Sequence, residues 1–229
     1  MIGGVSTKKR GEEMSEAVRR GFLLAEGVLY LWFLAWDVCF PAKDTTWIKY
    51  SALLLCVVYA WDSARRGGSR LIAAALVMTA GADAFLLVLN RCYLLGVLLF
   101  CGVQGAYLVR VFRANGGRTW WGARLAVLAV LGAALLRLGL LDLLTGAAAV
   151  YFSTFVCTAV QSSRCSGPAF RRFTAGLCLF LCCDVCVAVF NVPQLFPAEW
   201  YAFARVGMWL FYLPAQVLIA RSGEEEREC

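Results

Sequence analysis

The sequence predicts an all-α fold: a polytopic bundle of eight membrane-spanning helices with both termini in the cytoplasm. Three observations carry this. Of the 229 residues, 61% are hydrophobic and only 16% charged, against about 45–50% and about 25% in a soluble domain. The polar residues gather between long apolar runs, and a spanning helix needs roughly 17–25 such residues. Positive charge is also unevenly placed: with the N-terminus inside, only Lys43, Lys49, Arg91, Arg137 and Arg205 of the 22 Lys and Arg residues fall on the far side. That asymmetry sets topology. Together with anionic headgroups it explains the net charge of +7 and leaves no basic domain for nucleic acid.

Residues 1–20 read as a polar cytoplasmic tail, and the spanning domain as residues 21–220. The first helix, Gly21–Phe40, resembles a signal peptide only superficially. It contains Glu26 and Asp37, and no small-x-small cleavage site follows. It sets Glu26, Tyr30, Phe33 and Asp37 on one face. The second helix, Trp47–Trp61, is short. The third, Leu71–Leu89, carries Asp83 and is followed by Asn90. The fourth, Cys92–Val111, puts Gln104 and Tyr107 on one face. The fifth and sixth, Gly122–Leu138 and Leu141–Val160, are poorly separated, so a seven-helix count is the rival. Arg137 and Asp142 flank their turn and read as a surface ion pair. The seventh, Phe173–Phe190, holds Asp184 and precedes Asn191. The eighth, Trp200–Ala220, aligns Tyr212 with Gln216 and contains Pro214. Trp47, Trp61, Trp120, Trp121 and Trp200 lie near helix ends, where amphipathic rings prefer the interface. Residues 221–229 form a short acidic tail, expected to be solvated and disordered.

Eleven cysteines and no histidine are a poor metal set. Cys178, Cys182 and Cys186 make a stripe on one continuous helix, whereas zinc ligands come from loops and turns at C-x₂₋₄-C spacing. They read as small apolar packing residues and as a helix–helix contact. No metal or cofactor is expected.

The aspartates are different. A carboxyl inside a bilayer costs on the order of several kcal/mol, so it faces a bundle interior or a watery cavity and marks function. Asp83 and Asp184 lie at nearly the same depth on two helices that both run outward, each seven residues before an asparagine. This suits two four-helix halves in parallel, a 4+4 repeat of the kind known in transporters, and two carboxyls converging on one cavity.

Several elements resemble the YhhN-like integral membrane family, which includes the lysoplasmalogenases. They are Gly81-Ala82-Asp83 in helix three, Phe100…Gln104…Tyr107 in helix four, Leu179-Phe180-Leu181-Cys182-Cys183-Asp184 in helix seven, and Phe211-Tyr212-Leu213-Pro214-Ala215-Gln216 in helix eight. The stretch DTTWIKYSALLLC, residues 44–56, resembles the second-helix region, and the likeness runs over about residues 20–222. Gln104 stands where the family has histidine, and Cys183 where it has serine.

The resemblance implies a membrane hydrolase that cleaves the vinyl ether of lysoplasmalogens into a fatty aldehyde and glycerophosphoethanolamine or glycerophosphocholine. The lipid substrate and bilayer lipids are then the partners, and the cell membrane the location. Such hydrolysis needs a proton delivered to the β-carbon, a nearby negative charge for the oxocarbenium ion, and a positioned water. Desolvation favours the protonated form of a carboxyl, and two neighbouring carboxyls split into one protonated and one ionised. Asp83 and Asp184 are the candidate acid/base pair. Asp37, Asn90, Gln104, Tyr107, Asn191, Tyr212 and Gln216 are candidates for orienting the pair or holding the headgroup. A proton-coupled carrier is the alternative, since paired intramembrane aspartates also relay protons; a catalytically silent accessory protein is a third reading, suited by Gln104 and Cys183.

Overall fold

A computed structural model describes residues 16–40, 43–192 and 195–224. Among them are eight helices and no strand: α1 (Glu16–Cys39), α2 (Thr46–Arg65), α3 (Arg70–Asp83, continued by a π-helical turn over Ala84–Val88), α4 (Tyr93–Ala114), α5 (Trp121–Arg137), α6 (Leu143–Ser162), α7 (Pro168–Asn191) and α8 (Ala198–Ser222). The eight-helix reading holds and the seven-helix rival falls, because Gly139 at φ 68° and a capping box at Asp142 separate α5 from α6.

Six of the eight, all but α2 and α5, are long and apolar enough to cross a membrane. The 17 residues of α5 reach only about 26 Å at 1.5 Å per residue, short of a hydrocarbon core of about 30 Å. Helix α2 carries Lys49 and Asp62 and buries one face, with Leu53, Cys56, Tyr59 and Ala60 inside and Trp47, Val58 and Trp61 exposed. The molecule is inside out relative to a soluble protein. Leu24, Leu31, Val130, Leu136 and Leu143 are more than half exposed, while Glu26, Gln104 and Gln216 are buried. That pattern fits a lipid surround.

Helices α7 and α8 pack together along their length, and α3 pairs with α4. Small residues allow the approach. A Cβ on Gly176 would come within 2.8 Å of Ile219 and 3.0 Å of the Ala215 carbonyl, and one on Gly207 within 3.0 Å of the Cys186 sulfur. Helix α5 lies at the edge against α6, and Arg124 is its one buried residue.

The helix ends sort into two groups. At one, the Ser69 N–H donates to the Gly223 carbonyl (2.8 Å), Arg110 donates to the Ser222 hydroxyl (2.7 Å) and carbonyl (2.6 Å), and the Tyr59 hydroxyl donates to Glu224. At the other, Asp37 of α1, Lys49 of α2, Phe190 of α7 and Arg205 of α8 line one pocket.

Several boundaries differ from the sequence reading. Helix α1 begins at Glu16, where Arg19 and Arg20 pair with Glu16, so the polar tail ends earlier than residue 20; residues 1–15 lie outside the described residues. Ser222 is helical and Glu224 is tied to Tyr59, so the expected free tail does not begin at residue 221; residues 225–229 lie outside the described residues. Two arginines counted as headgroup charges serve the bundle: Arg110 is buried over the rings of Phe170 and Phe173, and Arg124 binds Gln161 at 2.5 Å and the carbonyls of Thr119 and Thr154. The Asp142 carboxylate accepts the Thr145 N–H at 2.7 Å, with no ion pair to Arg137 among the described residues. A short side chain at an N-cap is better placed for that backbone donor than for a cation five residues back.

Candidate active site

Asp83 is the last α-helical residue of α3 before the chain turns π-helical. The Leu89 N–H reaches back to the Ala84 carbonyl at 2.8 Å, closing a wider i to i+5 turn. Such insertions interrupt a helix's register and recur at functional sites. Asp83 is buried, 8% exposed, and its carboxylate accepts the Tyr212 hydroxyl of α8 at 2.5 Å.

Asp184 of α7 is part-buried and accepts the Tyr151 hydroxyl of α6 at 2.6 Å. The two pairs are linked through aromatic rings: Phe180 meets Tyr212 and Phe155, and Phe155 meets Tyr151. Cys183, next to Asp184, is buried, and Tyr107 is buried against Phe173. Four helices thus bring two tyrosine–aspartate pairs into one cluster.

Aromatic rings fix the cluster. Phe180 lies one turn before Asp184 and meets Phe100 at 5.9 Å, Phe155 at 5.2 Å and Tyr212 at 5.5 Å, each edge to face. Tyr151 rests against Phe100 and Phe155, both at 5.7 Å. Edge-to-face pairs of this kind orient rings as well as bury them.

Gln104 and Gln216 are fully enclosed, 1% and 0% exposed. Among the described residues neither amide has a hydrogen-bond partner, nor does the Tyr107 hydroxyl. An unpartnered buried polar group costs about 1–3 kcal/mol.

Of the expected residues, Tyr212 binds Asp83, while Gln104, Tyr107 and Gln216 are buried inside the bundle. Three other candidates lie elsewhere. Asn90 has left the helix, is exposed at φ 50° and accepts the Tyr93 hydroxyl at 2.6 Å. Asn191 is exposed and donates to the Val187 carbonyl at 2.8 Å. Asp37 sits at the bundle end, paired with Lys49 at 2.6 Å and accepting the Thr45 hydroxyl at 2.6 Å. Tyr151 was not among the candidates; a hydroxyl amid the apolar residues of α6 was its only signal.

The cysteine stripe divides. Cys178 and Cys182 are exposed, and Cys186 alone meets α8, at Gly207.

Two pockets open away from the aspartates. One of about 330 Å³ is lined by Asn115, Arg118, Trp120, Gln161 and Arg164. The other, of about 200 Å³, is lined by Asp37, Lys43, Lys49, Arg205 and Trp209 among others. In the second, Trp209 stands edge-on to Tyr212 with centroids 5.6 Å apart.

No curated protein and no solved structure matches the chain. The model of the YhhN family matches residues 45–223, which takes in α2 to α8 and every residue of the cluster. Helix α1 lies before the matched region. The membrane-spanning bundle described above belongs to the YhhN family.

Proposed function

We propose that this protein is a membrane-embedded hydrolase of vinyl ether lipids, acting on a lysoplasmalogen. The observation that carries the reading is the pair of carboxyls inside the bundle, each held by a tyrosine hydroxyl from another helix, with the two tyrosines linked through the rings of Phe180 and Phe155.

One carboxyl donates a proton to the β-carbon of the vinyl ether, and the double bond's electrons take it up. The resulting oxocarbenium ion is stabilised by the other, ionised carboxylate, which also accepts a proton from the attacking water. The hemiacetal so formed collapses to a fatty aldehyde and a glycerol hydroxyl, and one water is consumed. The tyrosines fix the carboxyls, and Gln104, Tyr107 and Gln216 offer hydrogen bonds to the glycerol oxygens. A single-chain lipid has access from the bilayer to a site between helices.

The test is aldehyde release by purified protein in detergent, given a lysoplasmenyl lipid beside its saturated alkyl-ether analogue. Release from the vinyl ether alone, lost in Asp83→Asn and in Asp184→Asn, supports the hydrolase. Full activity in both variants sinks the acid/base pair.

A second reading has a specific basis. Gln104 and Cys183 replace the histidine and serine of the resemblance, which suits a relative that keeps the fold without the chemistry. Folded protein that binds the lipid and releases no aldehyde, with ethanolamine and choline headgroups both tried, favours it. Saturable solute uptake into proteoliposomes without bond cleavage favours a carrier.

A further inference from the structure

The pocket at the Lys49 end of the bundle is built from charges that the hydrolytic chemistry does not use. Lys43, Lys49 and Arg205 converge there with Asp37 and Asp44. A lysine or arginine beside the headgroups is ordinarily a topology signal pointing outward. Lys49 does the opposite. Its side chain is only 10% exposed, and its ammonium lies 4.4 Å from the Trp209 ring centroid and 5.8 Å from that of Phe33. Asp37 is held in turn by Lys49 and the Thr45 hydroxyl, so the Lys49 charge is balanced in place. Lys43 and Arg205 are exposed, and among the described residues no carboxylate pairs with either. Asp44 also lines the pocket and accepts the Thr46 N–H at 2.9 Å. The Thr46 side chain and backbone hold its carboxyl below the ordinary carboxylate value, so it is ionised at neutral pH.

The pocket is thus dipolar, with two cations available for an anion and one carboxylate available for an amine. One of its lining rings also touches the candidate active site. Trp209 lines the pocket, stands edge-on to Tyr212, and Tyr212 donates to Asp83. A phospholipid anchored here by its headgroup could extend past Trp209 toward the Tyr212–Asp83 pair.

We propose that this pocket is the headgroup subsite, in which Lys43 and Arg205 bind the phosphodiester of a single-chain phospholipid while Asp44 faces its amine. The proposal rests on the vinyl ether reading for its substrate but not for its test. Lys49 is a positioning residue, fixed by Asp37 and stacked on Trp209 so that the pocket floor keeps its shape.

The test is equilibrium binding to the full-length protein in detergent. The probes are a saturated alkyl-ether lysophosphatidylcholine, which has no bond to hydrolyse, and the matching alkyl glycerol, which has no phosphate. The expected result is that Lys43→Ala and Arg205→Ala each weaken binding of the phospholipid about tenfold, the size of one charge-assisted hydrogen bond, and leave alkyl glycerol binding unchanged. Unchanged alkyl glycerol binding also shows that the variants are folded. Arg205→Lys is expected to keep most of the affinity. Equal loss for both probes, or loss for neither, overturns the subsite. If soluble glycerophosphocholine displaces the probe as well as the lipid does, the occupant is a soluble phosphodiester and the lipid assignment fails. Aldehyde release is not read in this experiment, so the subsite and the hydrolytic chemistry stand or fall separately.

Discussion

The Tyr212 hydroxyl donates to the Asp83 carboxylate at 2.5 Å, joining α8 to the last turn of α3 before its π-helical segment. The Tyr151–Asp184 contact at 2.6 Å repeats this device between α6 and α7. A hydrogen bond to a charged partner is worth about 1.5–3 kcal/mol. Tyr212→Phe and Tyr151→Phe are therefore expected to lower aldehyde release roughly 10- to 100-fold, with the helical circular dichroism spectrum unchanged. A Tyr212→Phe, Asp83→Asn double variant is expected to be no worse than Asp83→Asn alone, because the tyrosine acts through the aspartate. Additive losses would assign the hydroxyl a separate role.

Gln104 and Gln216 give a trade-off between stability and function. Each is enclosed, with its amide unpartnered among the described residues. Gln104→Leu and Gln216→Leu remove a buried polar group of similar volume. They are expected to raise the unfolding midpoint of the unliganded protein, by up to the about 1–3 kcal/mol such a group costs, while reducing activity or lipid binding. A lowered midpoint would mean that the amides serve the fold. Gln104→His, which installs the residue of the family resemblance, is expected to retain activity where Gln104→Leu does not.

Much of this cluster was legible because a bilayer makes polar residues conspicuous. Asp83, Gln104, Asp184, Tyr212 and Gln216 interrupt apolar runs, and helical periodicity told which shared a face. The same periodicity failed for Asn90. Seven residues make two turns only while the helix stays α-helical, and the π turn over Ala84–Val88 adds a residue, rotating Leu89 and Asn90 by about 100° from their α-helical positions. Asp37 shares the inward face of α1 with Glu26 and Phe33, but it lies near the last residue of that helix and so faces the end pocket instead of the cluster. Helix ends extend past the apolar runs, at Glu16–Arg20, Asp62–Arg65 and Pro168–Arg172, because charged residues outside the hydrocarbon remain good helix formers. Which helix pairs with which, and hence the meeting of Tyr151 with Asp184, is a tertiary fact without a local signal.

The capping box at Asp142 makes a pH-dependent contribution of known sign. The Thr145 N–H and hydroxyl hold the Asp142 carboxyl below its ordinary value. A group whose folded-state value is depressed stabilises the fold above its unfolded value, about 3.9, and loses that stabilisation as pH falls through the folded value. Asp142→Ala is expected to lower the unfolding midpoint at pH 7 and to make no difference in strong acid. Arg137→Ala is expected to leave the midpoint nearly unchanged at both pH values. A large effect of Arg137→Ala that vanished in high salt would restore the ion pair.

Pro214 and Tyr30 make the last prediction, through a carbonyl between them. Pro214 lies inside α8 and has no N–H, so the Leu210 carbonyl four residues earlier lacks its helical donor. In a bilayer such a group needs another partner, and the Tyr30 hydroxyl of α1 supplies it at 3.0 Å. A proline break thus becomes an interhelical bond that ties α1 to α8 close to Tyr212. Tyr30→Phe is expected to cost about 0.6–2 kcal/mol, the range for hydrogen bonds between membrane helices. Pro214→Ala restores the donor within α8, so Tyr30→Phe in that background is expected to cost much less. The coupling energy of this double-mutant cycle, read from unfolding in mixed micelles, measures the bond directly. Equal costs of Tyr30→Phe in both backgrounds would mean that the hydroxyl contributes by packing and that the freed carbonyl finds its donor elsewhere.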